Sequence, residues 1–93
     1  MPSVMATIKV REDKIDEAKA FLSKLAKDTV ANEAGTLAYV AHQRSDDPTI
    51  FIFYEKYESP DALAAHGENL KAVGKDFAAI LAGAPEIVMM EEV

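Results

Sequence analysis

Cysteine and tryptophan are absent from this sequence of 93 residues, and histidine occurs only twice. Without cysteine there is neither a disulfide framework nor a thiolate metal site, which fits a reducing compartment and predicts a cytoplasmic location. The two histidines lie far apart in the sequence, and no glycine-rich phosphate loop is present. We therefore expect the protein to bind no metal, flavin or haem.

Positive charge is also scarce, because 10 Lys and Arg face 16 Asp and Glu and the net charge is −6. Nucleic acids and anionic membranes bind basic surfaces, so neither is an expected partner. The segment from Met1 to Val10 has no long apolar core of a signal peptide, and no segment approaches membrane-spanning length. Small neutral or apolar ligands remain possible.

Nearly half of the residues, 49%, are apolar, which excludes a disordered chain. There is no repeat, low-complexity run or linker, so residues 1–93 are expected to form a single domain. A domain of this length lies near the lower limit for burying an adequate core alone. Additional burial by self-association is therefore expected.

Apolar periodicity and turn residues predict six elements in the order βαββαβ. They are a strand from Val4 to Val10, a helix capped by Asp13 that runs to Asn32 and is terminated by Gly35, two strands at 36–43 and 50–57 joined by the turn at 45–48, a helix from Ser59 to Leu81 with weak points at Gly67 and Gly74, and a strand at 86–92. This order predicts a ferredoxin-like α+β fold with an antiparallel sheet and both helices on one face.

The third strand is apolar on both faces. Phe51, Phe53 and Tyr57 alternate with Ile52 and Tyr54, and alternate residues of a strand point to opposite faces. Since the helices can cover only one face, the other face would expose an apolar patch of the size that usually marks an interface. We expect a homodimer in which two sheets pack face to face.

His66 is the only strongly polar member of an apolar helical stripe that includes Leu63 and Leu70. From the residues alone, a structural histidine with satisfied hydrogen bonds is the favoured interpretation, because buried polar groups normally find partners. The alternative is a histidine in a ligand pocket. There, a neutral imidazole could accept a phenolic proton or move a proton during isomerisation.

Four further residues have two interpretations each. Glu33 could be a second acid-base group, but its place at a helix end favours a structural role. Glu55 shares a strand face with Phe53, so it points into a pocket or is paired at the sheet margin. Tyr39 and Tyr57 either form pocket walls with a polar tip or pack in an ordinary aromatic core.

Three loose motifs follow one another along the chain: Glu33-Ala34-Gly35 with Tyr39, then Phe51, Phe53, Glu55 and Tyr57, then Ser59, Ala62 and His66. In the order and spacing of these motifs, the sequence resembles the antibiotic-biosynthesis monooxygenase superfamily of small dimeric α+β barrel proteins over nearly the whole chain. This resemblance implies a homodimer whose two sheets form a barrel, with a small-molecule pocket in each subunit. It also implies several activities: oxidation of quinols or anthrone-like phenols without metal or flavin, haem degradation, and isomerisation of a small molecule.

Haem degradation is disfavoured, because tryptophan is absent and no axial ligand is in place. The resemblance favours a cofactor-independent monooxygenase acting on a small aromatic or quinol-like ligand, with His66 as the catalytic residue. The residues expected to bind the substrate are Tyr39, Phe53, Glu55 and Tyr57. A small-molecule isomerase and a non-catalytic dimeric ligand-binding or interaction module remain the alternatives.

Overall fold

A computed structural model describes residues 1–93 as one antiparallel sheet with helices on one face. Its elements are β1 (Pro2–Lys9), α1 (Ile15–Asn32), β2 (Thr36–Gln43), β3 (Ile50–Tyr57), α2 (Pro60–Leu70), α3 (Gly74–Ile80) and β4 (Glu86–Glu91), with 3-10 turns at Glu12–Lys14 and Lys71–Val73. The strand order is β2-β3-β1-β4, which confirms the predicted ferredoxin-like α+β fold. None of the helices is long and apolar enough to cross a membrane. The cytoplasmic location stays a prediction.

The register of the sheet places residues of all four strands in rows across it. In one row Tyr39 pairs with Glu55, Glu55 with Val4, and Val4 with Met89. Directly opposed residues of antiparallel strands share a face, so these four side chains lie together on the face that the helices cover. The adjacent row on this face contains Phe53 and its neighbours on β1 and β4. Tyr39 of β2 and Glu55 of β3 thereby become neighbours, although they are not close in the sequence.

Helix α1 packs against the sheet through residues that recur at helical spacing. These are Ile15, Ala18, Leu22, Leu25 and Thr29, of which Ala18, Leu22 and Thr29 are buried. The prediction that Asp13 caps this helix is wrong. Asp13 lies inside the 3-10 turn that precedes α1, and no side chain caps either element. The helix ends where predicted, and the backbone N–H of Glu33 donates to the carbonyl of Thr29 at 2.9 Å.

Glycine is needed at position 35 for a reason other than the predicted one, which was to terminate α1. Its φ is not positive, so no left-handed conformation requires glycine here. A Cβ at this position would lie 2.7 Å from the Cβ of Ala62 on α2. Glycine is therefore needed because the chain entering β2 passes close to α2, a contact that brings the end of α1 near the middle of α2.

Helix α2 begins as predicted, since the hydroxyl of Ser59 accepts a hydrogen bond from the N–H of Ala62 at 3.1 Å and Pro60 occupies the first turn. The single helix expected up to Leu81 is instead divided by the 3-10 turn Lys71–Val73. The break falls at Gly74, one of the two predicted weak points, and not at Gly67. Residues on both sides of the break, among them Leu70 of α2 and Phe77 of α3, line one cavity.

The other face of the sheet has no covering element. Val40, Tyr54, Met5 and Val88 form one row across it and are between 37% and 47% exposed. The prediction of an apolar second face on β3 is thus confirmed, and the apolar surface continues onto β1, β2 and β4.

Candidate active site

A cavity of about 330 Å³ lies between the helix-facing side of the sheet and helices α2 and α3. Its lining residues are Val4, Ala6 and Ile8 of β1, Tyr39 of β2, Phe53 and Glu55 of β3, Leu63, His66, Gly67 and Leu70 of α2, Phe77 of α3, Leu81, Pro85, and Ile87 and Met89 of β4. Most of these are apolar, and a few convergent polar groups in an apolar cavity are typical of ligand sites. The cavity is open beside β4, where Ile87 and Met89 are 54% and 59% exposed.

His66 is 3% exposed and bonded on one side only. Its Nδ1 lies 2.9 Å from Oε1 of Glu33, whereas its Nε2 is buried and has no hydrogen-bond partner. A carboxylate only accepts hydrogen bonds, so we infer that Nδ1 carries the proton and that Nε2 has a free lone pair. A buried polar atom without a partner is rare in proteins, and it is a natural place for a ligand to bind.

Glu33 is held by three side chains. Oε1 accepts from the Thr36 hydroxyl at 2.8 Å and from His66, and Oε2 accepts from the Asn69 amide at 3.1 Å. Burial alone would raise the pKa of Glu33, but the hydrogen bonds from Thr36, His66 and Asn69 together keep that pKa below its ordinary value. Glu33 is therefore a stable anion at neutral pH.

Two aromatic rings pack against the imidazole. The ring centroid of Tyr39 is 4.7 Å from that of His66, and the ring centroid of Tyr57 is 5.4 Å away. Tyr39 also packs on Phe53, with ring centroids 4.8 Å apart. With its Nδ1 bonded and two rings packed against it, the imidazole has little freedom to rotate, so the direction of its Nε2 lone pair is set in advance of ligand binding.

Glu55 and Tyr57 form a buried pair at 2.5 Å, in which the Tyr57 hydroxyl donates to Oε1 of Glu55. Burial raises the pKa of Glu55, and this outweighs the lowering effects of Tyr57 and His66. Burial, followed by the bond to Glu55, also raises the pKa of Tyr57, so its hydroxyl stays protonated. Glu55 therefore places a carboxyl group at the cavity wall, and burial disfavours the ionised form of that group.

Four of the five predicted site residues, His66, Tyr39, Phe53 and Glu55, line this one cavity. The fifth, Tyr57, does not line it; Tyr57 is fully buried and contacts both the imidazole and Glu55 from behind. Glu55 thus lines the cavity and is also paired with Tyr57, although not at the sheet margin, because β3 is an inner strand. Tyr57 packs in the core and forms no part of the cavity wall.

The sequence favoured a purely structural role for Glu33 and did not predict its hydrogen bond to His66. It also did not predict that Asn69 and Thr36 donate to the same carboxylate. Glu33 and His66 are 33 positions apart, and no spacing rule pairs a helix end with a residue in a later helix. The one usable signal was that Glu33 belongs to the same family motif as Gly35, which packs against α2.

Two features outside this cavity bear on ligand binding. A larger open groove of about 660 Å³ between α1 and β2 shares only Tyr39 with the cavity, and its histidine, His42, lies exposed near the hairpin end. No group of three or more His, Asp or Glu side chains could hold a metal ion.

The fold and the cavity define a small ferredoxin-like α+β protein with a histidine-carboxylate pair at an apolar cavity. The family model for antibiotic biosynthesis monooxygenase matches residues 1–81, and the chain belongs to that family. No curated protein matches it.

Solved structures agree with this assignment. A Caulobacter crescentus protein, described provisionally as an antibiotic biosynthesis monooxygenase, is 34% identical, with a TM-score of 0.90 over 99% of this chain and 89% of that one. A Nitrosomonas europaea protein with the same provisional description is 25% identical, with a TM-score of 0.86 over 100% and 99% of the two chains. At 23% identity, PA3566 from Pseudomonas aeruginosa shares the fold, with a TM-score of 0.87.

Proposed function

We propose that this protein is a cofactor-independent monooxygenase that oxidises a small hydroxylated aromatic or quinol-like molecule, with His66 as the general base. The observation that carries the proposal is the buried Nε2 of His66, which has no hydrogen-bond partner in the protein and belongs to a residue that lines an apolar cavity. Membership of the monooxygenase family supports the reaction type.

The first step is proton transfer. A hydroxyl group of the ligand donates a hydrogen bond to Nε2 of His66, and the imidazole takes the proton as the ligand becomes a phenolate or enolate. Glu33 accepts from Nδ1 and stabilises the imidazolium that forms. Such a carboxylate also holds the imidazole in the tautomer that can act as a base.

The second step is reaction with dioxygen. The deprotonated ligand is electron-rich and supplies the electrons itself. For an anthrone-type ligand, one ring CH₂ group and one O₂ give one ring carbonyl and one water, so atoms and electrons balance without an external reductant. Apolar walls formed by residues such as Phe53, Leu63 and Leu70 suit this chemistry because they exclude water from the reactive anion.

The test is dioxygen uptake and product formation with an anthrone and with a reduced naphthoquinol, comparing wild type with His66→Ala. If His66 is the general base, turnover falls about 10²–10⁴-fold. His42→Ala removes the other, exposed histidine and serves as the matched control that leaves turnover unchanged. Equal turnover in His66→Ala contradicts the proposal, and conversion of ligand without oxygen uptake supports an isomerase instead.

We also propose that the protein works as a homodimer joined through the open sheet face. The support is the row formed by Val40, Tyr54, Met5 and Val88, which is apolar and partly exposed across all four strands. Two such faces packed together would remove this surface from water. An obligate interface of this kind buries on the order of 2,000 Å² in total.

A further inference from the structure

Charge around the cavity is of one sign only. Its walls include the acidic side chain of Glu55, while neither lysine nor arginine lines it. A second carboxylate, Glu33, is bonded to the imidazole of His66 on the side away from the free Nε2. A ligand inside the cavity therefore has acidic groups near it and no cationic side chain to pair with.

Glu55 is held in a fixed position at the cavity wall. Tyr57, which is fully buried, is the only side chain that donates to it, and this bond engages Oε1. On the sheet Glu55 lies between Tyr39 of β2 and Val4 of β1, two further lining residues. Its carboxyl group is therefore a fixed part of the cavity wall.

Charged and uncharged ligands interact differently with Glu55 and His66. A hydroxyl group can donate to Glu55 or to Nε2 of His66, and so gains a hydrogen bond at either place. A ligand carboxylate would lose its hydration and find no counter-ion in the cavity. Beside an ionised Glu55 it would be repelled more strongly than in water, and it would avoid that repulsion only if Glu55 took up a proton.

We propose that Glu55 is the specificity-determining residue of this cavity, which accepts uncharged hydroxylated ligands and rejects carboxylates of similar size. The inference deepens the proposed function and rests on it for the choice of a hydroxylated aromatic ligand. It concerns binding, so it is tested without any turnover.

The probes are 2-naphthol and 2-naphthoate, which share one ring system and differ in the charge of a single substituent at neutral pH. Their binding is measured by the change in naphthalene fluorescence, in anaerobic buffer. Wild type is expected to bind 2-naphthol at least about tenfold more tightly. In Glu55→Gln the ratio of the two dissociation constants should fall at least about fivefold, mainly because 2-naphthoate binds more tightly. Part of the preference remains, since an apolar cavity still disfavours any unpaired charge.

Two further variants make the result specific. Glu17→Gln makes the same change in net charge on the exposed side of α1, and it should keep the full preference. The double variant Glu55→Met with Tyr57→Phe removes both partners of the buried bond, so it leaves no unpaired hydroxyl if Glu55→Gln folds poorly. The preference should narrow in this double variant as well.

Equal affinity of wild type for the two probes would overturn the inference, as would failure of 2-naphthol to bind. An undiminished preference in both folded Glu55 variants would also overturn it, because desolvation alone would then account for the selectivity. A third result would separate the two proposals. If no oxygen is taken up, but wild type prefers 2-naphthol and the Glu55 variants reduce that preference, the proposed oxygenase chemistry is rejected and this inference stands.

Discussion

His66 and Glu33 are joined by a hydrogen bond of 2.9 Å between Nδ1 and Oε1, although 33 positions separate them. The bond connects the middle of α2 to the end of α1. It leaves the second imidazole nitrogen without a hydrogen-bond partner, and it places a carboxylate where an imidazolium would need a counter-charge.

Replacing Glu33 with Gln should slow the proposed reaction while leaving the cavity intact. The amide can still accept one hydrogen bond, but it carries no charge to stabilise the imidazolium and can present its NH₂ group to Nδ1. We expect a fall in turnover of about 10–100-fold, the usual effect of losing a partner that orients a functional histidine. Steady-state oxygen uptake across pH measures it.

Asn69→Ala is the matched control for this prediction. It removes a different hydrogen bond to the same carboxylate and keeps both charge and the His66 contact. Turnover should fall much less than in Glu33→Gln. Equal effects of the two substitutions would mean that Glu33 acts only through the packing of the helix ends.

Glu33 should also make stability depend on pH. Its pKa in the folded protein is lowered below the ordinary value of 4.5, so the carboxylate stabilises the fold fully above that pH, and this contribution is lost as pH falls through the folded-state pKa. The free energy of unfolding of wild type relative to Glu33→Gln should therefore decrease as pH is lowered from about 5.5 to about 3. Urea denaturation at each pH provides the measurement. A constant difference over this range would contradict the pKa assignment.

Gly35→Ala should destabilise the protein, because the added methyl would lie 2.7 Å from the Cβ of Ala62. Forcing extra volume into such a contact costs about 1–3 kcal/mol. Thermal unfolding measures the effect, and Ala62→Gly combined with Gly35→Ala should recover part of the loss.

Gly67→Ala is the opposite case. Nothing lies within 4 Å of the position that its Cβ would take, and the residue is inside α2. Alanine is the better helix former there, so stability should rise by about 0.5–1 kcal/mol. A destabilised Gly67→Ala, or a neutral Gly35→Ala, would show that the packing of α2 differs from that described.

Tyr54→Glu should dissociate the proposed homodimer. Tyr54 occupies the centre of the apolar row on the open sheet face, and a buried unpaired carboxylate opposes association. Sedimentation at low micromolar concentration should show dimers for wild type and monomers or unfolded chains for the variant. Val30→Glu, on the helix layer and similarly exposed, should stay dimeric. A folded monomeric wild type would reject the dimer.

Much of the fold follows from the sequence because its signals are local. The bounds of β2 and β3, the cap at Ser59 and the stripe on α1 depend on residues within one or two turns of each other, and all are found as predicted. Asp13 failed as a cap because Glu12–Lys14 form a 3-10 turn, a choice between two local structures that composition does not decide.

Local pattern also singles out the residues that could carry chemistry, since His66 is the one polar side chain of an apolar stripe and Glu55 shares the face of Phe53. Their contacts, in contrast, follow from the packing of separate elements. Sheet register sets Glu55 beside Tyr39, and the close approach at Gly35 brings Glu33 to Nδ1 of His66 while Nε2 stays free. Such relations depend on how separate elements pack, and no local propensity encodes a contact between the end of one helix and the middle of another.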